Sequence, residues 1–157
     1  DAAMDIAFAN GLPTWADFEA TVNSDPDKAK AMVQTMRDFI YYHVINGTVY
    51  ADNTVAAGNY STFYNDSKSV IQKLRVSGGG GTLNVQEIYN IEDGSGNITT
   101  QYGPNHSVQE SSAIANIMAR DIYLNDIRKQ ATKMTASSFI TIHGISTPLC
   151  FNNTGQY

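Results

Sequence analysis

Cysteine is nearly missing from this chain: Cys150 is the single one in 157 residues, so no internal disulfide framework can staple the fold. Long apolar runs are missing too, and none approaches the ~20 residues that a helix needs to cross a bilayer. Basic residues are sparse, 10 Lys and Arg against 15 Asp and Glu for a net charge of −5. Their densest group, Arg128-Lys129 with Lys133, is too small to leave the electrostatic footprint of a nucleic-acid binder, so nucleic acid is not an expected partner. Catalytic signatures are absent in the same way. There is no Gly-x-Ser-x-Gly elbow and no cysteine signature with a positioned histidine. The three histidines make no His-x-His or His-x-x-x-His pair for a metal. No catalytic residue, metal or cofactor is expected.

What is present is ordinary for a folded globular protein. Apolar residues make up 42% and charged residues 16% of the chain, at 17.1 kDa. That disfavours disorder and fits a single domain over 1–157. The nine tyrosines and the Asn, Ser, Thr and Gly content suit a secreted or surface-exposed protein. Asp1 stands where no initiator methionine or leader is seen, so it is expected to be a processing site or a proteolysis boundary.

Along the chain, Met4 to Ala9 alternates loosely and predicts a short buried strand, followed by a turn at Asn10-Gly11. Thr14, with Asp17 three residues on, approximates a capping box and opens a helix whose apolar face is Trp15, Phe18 and Val22, ending before Asn23. Trp15 is expected in the core. Asp25-Pro26 starts a second helix, an N-cap oxygen followed by a proline whose missing N–H costs nothing in the first turn. Met32, Val33, Met36, Phe39, Ile40 and His43 form its amphipathic stripe, so His43 should point inward, and Asn46-Gly47 should stop the helix.

Thr48-Val49-Tyr50 is β-prone, while Ala51 to Tyr64 has no clear period and reads as loop with a short element. A hairpin follows: Gln72, Leu74 and Val76 lead into Gly78 to Gly81, and Leu83, Val85 and Glu87-Ile88 lead out. The glycines do not make a phosphate loop, because Thr82-Leu83-Asn84-Val85 continues as strand where a lysine, a hydroxyl and a helix would be needed. Glu92 to Ser112 is polar and reads as an exposed excursion or long hairpin end, with His106 solvated. Ala113 to Arg120 fits helix or buried strand equally. Asp121 to Lys133 is loop-like or briefly helical, its Arg120-Asp121 and Asp126-Arg128 neighbours being surface charge pairs. Phe139 to Ile145 predicts a central strand ended by Pro148, with His143 buried, and Cys150 reads as a small buried residue near its end.

Three places in this order resemble fasciclin domains. The segment from Ile6-Ala7-Phe8-Ala9 through Trp15-Ala16-Asp17-Phe18 resembles the family's first strand, turn and aromatic-bearing helix. Tyr42-His43 resembles its tyrosine-histidine motif, and Phe139 to Ile145 its second signature strand. Gln72 to Ser77, with the glycine turn and Leu83-Asn84-Val85, is similar to members found in Bacteroidetes surface lipoproteins. The likeness runs from about Met4 to Leu149 and favours a strand at Ala113 to Arg120. It departs after His143, where Gly144-Ile145-Ser146 replaces a frequent aspartate, and before the first strand, where the family's helices are not seen, so the chain is expected to be a domain without its N-terminal helices cut from a larger protein.

The resemblance implies an α+β fold, a fasciclin-like wedge of β-sandwich-like sheets with a cluster of helices. It implies a non-enzymatic extracytoplasmic module for cell adhesion or surface assembly, at the cell surface, outer membrane or periplasm, held to a membrane only by an anchor outside this chain. The partner would be an extracellular protein or glycan. Tyr42 and His43 would be the binding residues of the family motif, although the helical stripe gives His43 a structural role. Contact is expected at the loops of Ala51 to Tyr64 and Glu92 to Ser112. A carbohydrate-binding module of a glycan-capture system is the first alternative, and a hydrolase with an unfamiliar site the second.

Overall fold

The computed structural model describes residues 2–46, 57–66, 69–79, 82–108, 145 and 147–157, with backbone only at 78–79, 82–83 and 107–108. The expectations for Thr48-Val49-Tyr50, Ala113 to Lys133 and Phe139 to Gly144, including His143, lie outside these residues.

The first element is a helix, not a strand: α1 spans Ala2–Ala9. Alanine is the best helix former and supplies Ala2, Ala3, Ala7 and Ala9, which outweighs the short Ile6/Phe8 alternation. Its end is a Schellman motif, with Leu12 N bonded to Ala7 O at 3.0 Å and Gly11 N to Phe8 O at 3.1 Å. Gly11 supplies the positive φ of 94° that this motif requires.

α2 spans Trp15–Thr21 behind the expected capping box: Thr14 Oγ1 accepts from Asp17 N at 3.1 Å and Asp17 Oδ2 from Thr14 N at 2.8 Å. The Thr14 hydroxyl, donating to Asp17 Oδ2 at 2.6 Å, and then the Thr14 N–H hold the Asp17 carboxyl below its usual pKa. Its aromatic face is not core, however. Nothing in α2 is buried and Trp15 is 64% exposed, because a helix of 7 residues lying on the flank of another can bury only part of its circumference.

α3 spans Pro26–Tyr42, with Asp25 accepting from Lys28 N at 3.0 Å and Pro26 in the first turn. The inward face is Ala29, Met32, Met36, Phe39, Tyr42 and His43, while Val33 and Ile40 turn outward. The helix stops at Tyr42, four residues before Asn46, since Val44 and Ile45 leave it to join the sheet. Ile45 bridges Thr62, Asn46 N bonds Ser61 O at 2.8 Å, and Phe63 N bonds Val44 O at 3.0 Å. β-branched residues with strand partners available prefer that arrangement.

Those partners belong to β1, Gly58–Asn65, which occupies part of the expected loop. Its alternation is visible once a neighbour exists: Tyr60, Thr62 and Tyr64 face inward and Asn59, Phe63 and Asn65 outward. β2 (Ile71–Gly79) and β3 (Thr82–Glu92) form the expected hairpin, in register from Leu74↔Glu87 to Gly79↔Thr82. After a tight turn at Asp93 to Asn97, two further described strands, β4 (Ile98–Tyr102) and β5 (His106–Val108), both run antiparallel to β3.

The described strands make a single sheet in the order β1-β2-β3-β4, with β5 beside the first half of β3. α3 lies over one face. Between them sits a core of Tyr42, Leu74, Val76, Val85 and Leu149, flanked by Ile45, Tyr60, Tyr64, Ile145 and Phe151. The protein is thus a mixed α+β fold.

Candidate functional site

The motif residues Tyr42 and His43 are neighbours at the end of α3 with different surroundings. Tyr42 is 1% exposed, edge-on to Tyr64 and Phe151 at ring separations of 5.8 and 6.3 Å. Burial pushes its phenol far above the ordinary tyrosine pKa, reinforced by Tyr89, Glu87 and Cys150, and the Ile88 backbone hydrogen-bonds it in partial compensation. His43 stacks on Phe39 at 4.3 Å. Its Nδ1 lies 2.7 Å from Phe39 O and its Nε2 accepts from Leu149 N at 3.0 Å. An amide N–H can only donate, so the ring is the neutral tautomer with its proton on Nδ1. Burial first, and His106 to a lesser degree, hold His43 below the usual histidine pKa, against smaller opposing effects from Phe39 and Glu87.

A second polar group, absent from the expectations, lies beside them. Glu87 is 1% exposed and sits on the inward face of β3, directly opposite Leu74. Its Oε1 is 2.8 Å from His106 Nε2 and accepts from Cys150 N at 3.0 Å. His106 Nδ1 is 2.6 Å from Thr147 Oγ1. The expectation that His106 is solvated is therefore wrong: it is 2% exposed.

The cause is a bulge. Tyr102 pairs with Ile88 and His106 with Val85, so Gly103, Pro104 and Asn105 stand opposite only Gln86 and Glu87. The extra residue shifts the alternation by one and turns His106, in place of Asn105, onto the core face. Pro104 is tolerated there because a bulge needs no ladder N–H at that point. Gly103 is required for space, since a Cβ on it would collide with the Glu87 carboxyl.

These side chains hold an irregular strap, Thr147 to Tyr157, against the sheet. Leu149 N goes to His43 and Cys150 N to Glu87, while the Leu149 carbonyl accepts from Tyr157 Oη at 2.7 Å and the Cys150 carbonyl from Tyr89 Oη at 2.9 Å. Both peptide groups of a buried segment without helix or strand are thus satisfied by side chains. Tyr89 and Tyr157 are pushed well above the usual tyrosine pKa, chiefly by burial, and stay protonated as donors. Cys150 is buried as expected and lies in the strap. Burial raises its thiol pKa, which makes it a poor nucleophile.

Hydroxyl, imidazole and carboxylate in the order Thr147, His106, Glu87 match a nucleophile-activating relay in sequence. A relay must reach its substrate at an accessible ring edge, whereas this imidazole is 2% exposed and its carboxylate 1%. The geometry suits positioning. Among the described residues no group of three His, Cys, Asp or Glu is placed to hold a metal, and no helix is long and apolar enough to cross a membrane.

The outer surface differs. Trp15, Tyr41, Phe63 and Tyr102 are each more than two-fifths exposed. Trp15 and Phe18 lie 5.0 Å apart, and the Arg75 guanidinium sits 4.9 Å over the Tyr102 ring. All five residues of β4 are exposed, as the polar stretch predicts. Compared with family models, curated proteins and solved structures, the chain matches none.

The signal for Glu87 was its spacing of two from Val85, which places both on one strand face. His106 gave no such signal, because its face depends on a bulge that exists only when β5 pairs with β3.

Proposed function

We propose that the chain is a fasciclin-like, non-enzymatic binding module of the cell surface, outer membrane or periplasm, serving adhesion or surface assembly through contact with a protein or glycan. One observation carries this reading. Among the described residues, His43, His106 and the Oε1 of the buried Glu87 carboxylate are engaged by the strap and by each other, while large aromatic rings face outward. In this reading Tyr42 and His43 keep the scaffold in shape and the partner meets other residues. The test is a glycan and extracellular-matrix protein array probed with the folded chain. Saturable capture that survives His43→Gln supports the reading. Turnover of an ester, peptide or glycoside that depends on His106 contradicts it.

The glycan version gains from Trp15, which stands exposed beside Phe18 where a sugar ring could stack. Since it is the only tryptophan, its fluorescence reports that site alone. Titration with oligosaccharides that leaves the emission unchanged would remove the site from consideration.

A further inference from the structure

The strap is tied to the rest of the molecule by two histidines that differ in what a second ring proton would do. His106 faces a carboxylate oxygen and a hydroxyl, and both of these can accept. An N–H on either nitrogen of this ring would meet an acceptor. His43 faces a carbonyl with Nδ1 and an amide N–H with Nε2. A proton on Nε2 would point at the Leu149 N–H, so charging this ring and keeping this bond exclude each other.

We infer that His43 is an acid-operated latch on the C-terminal strap, whose second proton breaks the Leu149 bond and frees Thr147 to Tyr157 while α3 and the sheet stay folded.

The surroundings give the latch its direction. The groups that act on the ring are the Phe39 carbonyl and ring from α3, Glu87 from β3, His106 from β5, and the Leu149 N–H from the strap. Glu87 is the one acid among them, and its Oε1 is already engaged by His106 and Cys150. Burial and His106 keep the ring neutral against it. The strap is the element able to leave, because it has no helix or strand of its own and depends on side-chain bonds to Leu149 and Cys150. Apart from Tyr157 N on Asn10 O, the described backbone bonds of Thr147 to Tyr157 tie it to no other element. α3 is a helix of 17 residues, and the β2-β3 hairpin is laddered from Leu74↔Glu87 to Gly79↔Thr82. Departure would uncover Tyr42 and Tyr64 where Phe151 packs on them, so acidification would expose an apolar surface that is closed at neutral pH.

The test is residue-resolved amide exchange by NMR between pH 7.5 and 5.0, corrected for intrinsic pH dependence, on the whole chain and on His43→Gln and His106→Gln. The wild type should lose protection at Leu149 and Cys150 by about tenfold per pH unit once His43 titrates, while Ala29 to Phe39 and the hairpin keep theirs. His43→Gln should flatten that dependence and His106→Gln should retain it. Loss of protection everywhere at once, the same dependence in His43→Gln, or no loss at all overturns the proposal. Ring nitrogen shifts of the wild type decide the matter should His43→Gln not fold. An Nδ1–H tautomer at pH 7 whose transition coincides with the Leu149 change supports the latch, and an Nε2–H tautomer overturns it.

Discussion

Gly103 lies so close to Glu87 that the space for its missing side chain is taken by the Glu87 carboxyl, and Gly103 N also donates to Glu87 O at 3.0 Å. The bulge that turns His106 inward and the carboxylate that receives it are thus one unit. Gly103→Ala should force the Glu87 side chain off its position and destabilise the fold by about 1–3 kcal/mol. Urea denaturation measures it. A midpoint equal to wild type would mean that the bulge can yield without moving Glu87.

Removing either partner of the buried pair leaves the other without its hydrogen bond in a site closed to water. Glu87→Ala orphans both His106 Nε2 and Cys150 N, and a cost of about 3–5 kcal/mol is expected. Glu87→Met combined with His106→Leu removes both polar groups and should cost clearly less than the sum of the single changes. A double-mutant cycle by chemical denaturation checks this; additive costs would show that the two residues act independently.

His43 makes stability depend on pH. Its folded pKa lies below the ordinary 6.5, so between the two values the unfolded chain binds more protons and stability rises with pH. The contribution is complete above about pH 6.5 and declines as pH falls through the unfolded value toward the folded one. Thermal melts from pH 8 to 5 should show this decline, and His43→Gln should have a shallower one. His43→Ala should lose about 1–3 kcal/mol at pH 7.5 through the orphaned Leu149 amide and lost contact with Phe39. Melting curves that coincide with wild type at every pH would contradict both statements.

Trp15 should matter to contact and not to folding. At 64% exposure, Trp15→Ala is expected to change stability by no more than about 0.5 kcal/mol while weakening any glycan that stacks there by at least about fivefold, from about 1 kcal/mol of ring contact. Calorimetric titration with a captured oligosaccharide compares the two proteins. Unchanged affinity moves the contact elsewhere, with Tyr102 and Arg75 next in line.

Much of the local structure could be read from residues alone. Thr14 with Asp17, Asp25 with Pro26, and Asn10-Gly11 act within a few residues of themselves, and each stands where its chemistry predicts. The alternation of Leu74 and Val76 with Val85 gave the hairpin for the same reason. Failures came where a distant partner decided. Val44 and Ile45 left α3 because β1 was there to bridge, and β1 itself was hidden among polar residues until β2 paired with it. α1 was a competition between alternation and helix propensity that alanine won.

The candidate site divides along the same line. The caps, the turns, the β2-β3 hairpin and the inward place of Met32, Met36, Phe39 and His43 were legible in the residues, because these follow from the backbone preferences and periodicity of neighbours, whereas Val33 and Ile40 were read inward in place of Tyr42. Only the tertiary structure decided that His106 is interior, that Glu87 is its partner, and that the strap ends on His43. Those relations join residues 19, 63 and 106 positions apart. A bulge of one residue and an unladdered strap set them, and side-chain periodicity within any one segment encodes neither.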